Sequence, residues 1–84
     1  MTEAEARAAL ERSLEEVAPE VDSSALDPEV PLHDQVDLDS MDFLSFLEGV
    51  HHLTGIDIPE RDYPRLATLA SGAAYLAGRA GDGG

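Results

Sequence analysis

The sequence predicts an all-α fold: a bundle of three main helices plus a short extra helix, with a long loop between the first two. Three observations predict it. Apolar residues recur at helical spacing in three separate segments. Each segment opens on a residue suited to capping a helix: Thr2, Asp39 and Thr68. Proline and glycine punctuate the chain between the segments, at Pro19, Gly55 and Pro59.

Thr2 and Glu5 have the spacing of a capping box, in which each side chain accepts the other residue's backbone N–H. Ala6, Leu10, Ser13, Leu14 and Val17 then form one stripe, and Pro19 stops the helix. Residues 19–38 read as a loop containing Pro28 and Pro31. A loop of that length needs a function or an anchor. Val21, Leu26, Val30, Leu32, Val36 and Leu38 are the expected anchors. Asp39 caps a second helix from about Ser40 to Leu53, and Gly55 ends it. Ile56 to Pro64 form a linker with one helical turn after Pro59. Thr68 opens the last helix, with Leu69, Ala73, Leu76 and Ala77 inward. The domain is expected to span residues 1–78, followed by a flexible tail, 79–84.

The 84 residues allow one domain with one modest core, and 43% hydrophobic content is enough to fold it. There is no cysteine, so neither a disulfide nor a thiol nucleophile is available. No apolar run is long enough for a membrane span, and the acidic N-terminus lacks the apolar region of a signal peptide. A cytoplasmic location fits these features. Eighteen acids face five arginines, for a net charge of −13. Between Arg12 and Arg61 there are thirteen acids and no Arg or Lys. That field repels nucleic acid and anionic membranes and attracts partners with basic patches.

On the second helix, Phe43, Leu44, Phe46, Leu47, Val50 and Leu53 cover one broad side, the expected core face. Asp42, Ser45, Glu48, Gly49 and His52 cover the other. Met41 aligns with Ser45, Glu48 and His52, on the polar side, where packing does not require an apolar residue. A methionine there suits contact with several partners in turn. Ser40 lies in the first turn, where unpaired N–H groups and the helix dipole favour an anion such as a phosphate ester. The same position also suits a serine that merely caps the helix.

Leu38-Asp39-Ser40-Met41-Asp42 resembles the phosphopantetheine attachment motif of acyl carrier proteins, with Met in place of the usual Leu after the serine. The resemblance extends to Leu26-Asp27-Pro28-Glu29-Val30-Pro31-Leu32 upstream. Downstream it includes Gly55-Ile56-Asp57-Ile58-Pro59, Leu66-Ala67-Thr68-Leu69 and Ala74-Tyr75-Leu76. It covers nearly the whole chain, and it implies an acyl-carrier-type bundle without catalytic activity of its own. It further implies that a phosphopantetheinyl transferase attaches the 4′-phosphopantetheine of coenzyme A to Ser40. The arm's thiol then carries acyl groups as thioesters, so the cofactor brings the sulfur that the chain lacks. Partners are acyl-loading, elongating or transferring enzymes with basic patches. Carried over from the family, Asp39, Met41, Asp42 and Glu48 are the partner-binding residues. Phe43, Phe46, Leu47, Val50 and Leu69 are candidates to line a shelter for the acyl chain. A free-standing monomer is expected.

The chain departs from the family pattern in places. Ser45, His51 and His52 stand where carriers of primary fatty acid synthesis usually have acids, which points to a specialised set of enzymes. Asp37 stands where glycine is common, and Asp tolerates the left-handed backbone that glycine would supply. Two alternatives to an acyl carrier share its features: an aminoacyl or peptidyl carrier, and an unmodified acidic adaptor that binds a basic partner through Met41 and the second helix. A calcium loop beginning at Asp37 is excluded because Met41 and Asp42 occupy positions that need an oxygen ligand and a glycine. His33, His51 and His52 have no ligand spacing, and no catalytic motif accompanies Ser40.

Overall fold

The computed structural model describes residues 1–82. Among them there are four α-helices and no strand: α1 (Glu3–Val17), α2 (Leu32–Gln35), α3 (Ser40–Thr54) and α4 (Leu69–Asp82). Two 3₁₀ segments, Ser23–Ala25 and Glu60–Leu66, complete the fold. The three long helices are those the periodicity predicts. The short extra helix after Pro59 is the Glu60–Leu66 segment. Among the described residues, no helix is long and apolar enough to cross a membrane.

The capping box at the start of α1 forms as its spacing requires. Thr2 Oγ1 accepts from the Glu5 N–H at 3.1 Å, and Glu5 Oε1 accepts from the Thr2 N–H at 2.9 Å. These hydrogen bonds favour the ionised carboxylate and hold Glu5 below the usual carboxylate range. Ala6, Leu10, Ser13 and Leu14 are buried. α1 is the central pillar, packed against both α3 and α4. Burying each of its leucines contributes roughly 1.5–3 kcal/mol.

The seam between α1 and α3 is close because small residues meet there. The Ser13 hydroxyl, buried, donates to the Phe46 carbonyl at 2.7 Å, and Gly49 lies against Ser13. Gly49 therefore belongs to the α1-facing side of α3, not to the polar side where the helical wheel placed it. Leu44 moves in the opposite direction: expected in the core, it is 44% exposed. α1 packs on the Phe46 and Val50 flank, whereas Leu44 borders an open groove that faces Asp57, Ile58 and Tyr63. Phe46, Leu47 and Val50 are buried, while Phe43 and Leu53 are half-buried.

The loop between α1 and α3 is anchored, and more structured than its proline content suggests. Leu32 and Val36 are buried, and Val21, Leu26 and Leu38 pack against the core. Backbone bonds attach the loop to the junction before α4: Leu32 N–H to the Ala67 carbonyl at 2.8 Å, and Ala70 N–H to the Pro28 carbonyl at 2.9 Å. Gln35 braces it from α2. Its amide nitrogen donates to the Asp27 and Val30 carbonyls, and its amide oxygen accepts from the Asp27 N–H. Asp37 has no left-handed backbone, since Gly55 is the only residue with positive φ, at 72°, among the described residues. No left-handed backbone is therefore imposed at Asp37.

Thr68 caps α4 as expected: its Oγ1 accepts from the Ser71 N–H at 3.0 Å. Leu69, Ala73 and Leu76 are buried, and Ala77 is half-buried. Tyr75 joins the core, although the inward positions named from the sequence omit it. Its hydroxyl donates to Asp62 Oδ2 at 2.7 Å, tying α4 to the Glu60–Leu66 segment. α4 runs on to Asp82, past residue 78, where the domain was expected to close. The expected tail thus starts as helix, and its residues 83–84 lie outside the described residues.

Candidate functional site at the start of α3

The first turn of α3 is organised by Asp39. Its backbone is extended (φ −86°, ψ −179°), and its Oδ1 accepts from the Asp42 N–H at 2.8 Å. Asp42 Oδ2 accepts in return from the Asp39 N–H at 3.3 Å. This reciprocal pair is a capping box, with Asp in the place usually held by Glu. Ser40 is consequently the first residue inside the helix and not its cap. It is exposed, and among the described residues its hydroxyl has no hydrogen-bond partner. Most serines at a helix start are occupied with the backbone. Ser40 is left available because its neighbour performs that role.

Beside Ser40 opens a groove of about 340 Å³. It is lined by Leu32 and His33 of α2, Leu38 and Asp39 before α3, Phe43 on α3, and Tyr63, Pro64 and Ala67 before α4. The groove exists because α1 holds α3 and α4 together while the Glu60–Leu66 segment packs on α4 and stands off from α3. A second groove, of about 260 Å³, flanks α3 further along, between Leu44, Leu47, Glu48 and His51 on the helix and Asp57, Ile58 and Tyr63 opposite.

The candidate residues fall into two groups. Asp39, Ser40, Met41 and Asp42 share the first turn of α3. Met41 is 76% exposed, as the helical wheel requires. Glu48 is exposed on the same helix, about two turns away. Asp39 and Asp42 also carry a structural role, since their carboxylates cap α3. Of the residues suggested to shelter an acyl chain, Phe46, Val50 and Leu69 are fully buried in solid core. Only Phe43 borders the Ser40 groove, and Leu47 borders the second one. Leu32, Tyr63, Pro64 and Ala67 were not anticipated as its walls. The Tyr63-Pro64 pair between Pro59 and the last helix was the one available signal, an aromatic side chain held on a stiff segment.

The electrostatics at Ser40 are mixed. The N–H groups of the first turn and the dipole favour an anion, but Asp39 and Asp42 already supply negative charge there. A phosphate at Ser40 would need a covalent bond to stay. Among the described residues, no three His, Asp or Glu side chains gather closely enough to hold a metal ion.

A free serine hydroxyl beside an apolar groove fits a covalent arm. The family model described as the phosphopantetheine attachment site matches residues 7–76, most of the chain and all of α3. The chain belongs to this phosphopantetheine-attachment family. No curated protein and no solved structure gave a match. As a member of the family it is a carrier protein, and its prosthetic group is 4′-phosphopantetheine. Phosphopantetheine carriers act with the transferase that attaches the arm and with enzymes that handle the carried group. The residues present suit such an arm: a hydroxyl to hold it, a first helical turn that keeps the hydroxyl exposed, and apolar walls alongside.

Proposed function

We propose that this carrier is an acyl carrier protein that bears its 4′-phosphopantetheine arm on Ser40 and presents acyl groups to partner enzymes in the cytoplasm. The supporting observation is the division of labour at the start of α3. Asp39 caps the helix, so Ser40 is dispensable for folding and open to modification. In the attachment step Ser40 Oγ attacks the phosphorus of coenzyme A that bears the pantetheine. A new P–O bond forms, the bond to the adenosine 3′,5′-bisphosphate leaving group breaks, and the hydroxyl proton passes to a base on the transferase. When bound, the arm supplies a thiol that holds an acyl group as a thioester. The chain's own residues position that arm. α3 keeps Ser40 at the surface, the groove walls offer an apolar surface beside it, and the capping box fixes the turn from which the arm springs.

Partners dock on α3 in this reading. Met41 provides an exposed apolar contact, while Asp39, Asp42 and Glu48 provide charge for basic patches. Two histidines and a serine at positions 51, 52 and 45 thin the acidity of α3, which favours enzymes of a specialised pathway. The protein acts as a monomer without catalysis of its own.

The test is direct. Incubation with coenzyme A, magnesium and a broad-specificity phosphopantetheinyl transferase should add one phosphopantetheine mass, and Ser40→Ala should abolish the gain. No gain with several transferases would leave an unmodified acidic adaptor. Loading of the modified protein by an amino-acid-activating enzyme, with none by acyl-activating enzymes, would make it an aminoacyl carrier.

A further inference from the structure

We propose that Tyr63 partitions the two grooves flanking α3 and so restricts the group carried at Ser40 to a short chain. The proposal rests on the reading of Ser40 as the attachment point. The first groove opens at Ser40, and the second lies against the Leu44 and Leu47 flank of the same helix. Among the described residues, Tyr63 is the one that lines both. It is half-buried and packed against the core, so its ring stands as a wall rather than lying in solvent.

Three features of the Glu60–Leu66 segment restrain the backbone that carries Tyr63. Asp62, the preceding residue, accepts the Tyr75 hydroxyl at 2.7 Å. Pro64, the following residue, has a fixed φ. Leu66 is fully buried at the end of the segment. Swinging Tyr63 aside by a backbone movement would disturb an anchored segment. A carried chain entering beside Ser40 meets Leu38 and Phe43 and then the tyrosine. Beyond it, Leu47 and Ile58 form an apolar continuation whose rim carries Glu48, His51 and Asp57. Without the ring, one channel would run from Ser40 along α3 to Ile58.

The experiment uses the full chain, modified at Ser40 with acyl-pantetheine from butyryl, hexanoyl, octanoyl and decanoyl coenzyme A. Mass spectrometry verifies each attachment. Methyl NMR shifts and urea unfolding midpoints then report where the chain lies. In the unsubstituted protein, longer chains should leave the Leu47 and Ile58 methyls unmoved, and stability should stop rising with length. In Tyr63→Ala, octanoyl and decanoyl should shift those methyls. Each further sheltered methylene should raise the folding constant about fourfold. Tyr63→Phe should behave as the unsubstituted protein, because ring volume makes the wall. If Tyr63→Ala fails to fold, Tyr63→Leu serves in its place. Leu47 and Ile58 shifts with decanoyl while Tyr63 is intact would overturn the proposal, as would their absence in whichever of Tyr63→Ala and Tyr63→Leu is used. Failure of any arm to attach at Ser40 shows in the mass spectrum first, and it removes the reading of Ser40 itself.

Discussion

Gly49→Ala tests how α3 is seated, because a methyl group there meets Ser13 across the α1–α3 seam. The added Cβ would collide with Ser13 Oγ, which is engaged with the Phe46 carbonyl at 2.7 Å. Alanine should gain about 1 kcal/mol over glycine inside a helix. Against this, overpacking costs about 1–3 kcal/mol, and displacing a buried hydroxyl from its acceptor costs a further 1–3 kcal/mol or so. The net expectation is a loss of roughly 1–5 kcal/mol, at about 4–8 °C of melting temperature per kcal/mol for a domain this size. Ser13→Ala alone should cost about 1 kcal/mol, the worth of the hydrogen bond. Adding Gly49→Ala in that background should cost almost nothing. The new Cβ then meets only the Cβ of residue 13, at 3.3 Å, which a shift of a few tenths of an ångström relieves. Urea unfolding of the four proteins gives the coupling energy, expected near 2 kcal/mol. Stabilisation by Gly49→Ala with Ser13 intact would refute the account of the seam. Equal costs in the two backgrounds would do the same.

Three further outcomes are expected. Ser40→Ala should change stability by less than about 0.5 kcal/mol, whereas Asp39→Ala should cost about 1 kcal/mol through loss of the cap, both read by urea unfolding. Tyr75→Phe should cost about 1 kcal/mol by removing the bond to Asp62. Burial, and then that bond, raise the Tyr75 pKa above its ordinary 10.0, so the native state prefers the neutral phenol. The stability this supplies is present in full below pH 10.0 and is lost as pH rises towards the folded value. Unfolding midpoints measured from pH 8 to pH 11 should therefore fall less steeply in Tyr75→Phe. Met41→Ala should leave stability within about 0.5 kcal/mol, since the side chain is 76% exposed, and should lower kcat/KM with the attaching transferase.

The helices were legible from the sequence because their signals are local. Thr2 with Glu5, Asp39 before Ser40, Thr68, and Gly55 each act within one turn, and each did in the structure what its spacing demands. The exposure of Met41 was legible for the same reason: a helix fixes which way a residue faces once its neighbours are placed. Errors occurred where facing direction depends on a distant partner. Gly49 counts as polar-side on a wheel, and only the arrival of α1 with Ser13 explains its burial. Leu44 counts as core, and it is exposed because the chain opposite it leaves a groove open.

The site divides along the same line. Whether Ser40 is a cap or a free hydroxyl depends on which residue reaches the orphan N–H groups, and sequence spacing permits either. The Asp39–Asp42 pair decides it, because Asp39 takes the capping position and Ser40 becomes the first residue inside the helix. The groove beside it was hidden from any local reading. Its walls come from α2, α3 and the segment before α4, joined by the Leu32–Ala67 and Ala70–Pro28 backbone bonds. Those bonds also explain why a proline-containing loop is retained at this length. The loop must cross from the end of α1 to the start of α3 and, on the way, deliver Leu32 and Leu38 to the groove that Ser40 faces. Shortening it would remove Leu32 and Leu38 from the wall of the groove while leaving the cap, which Asp39 and Asp42 make between themselves, intact.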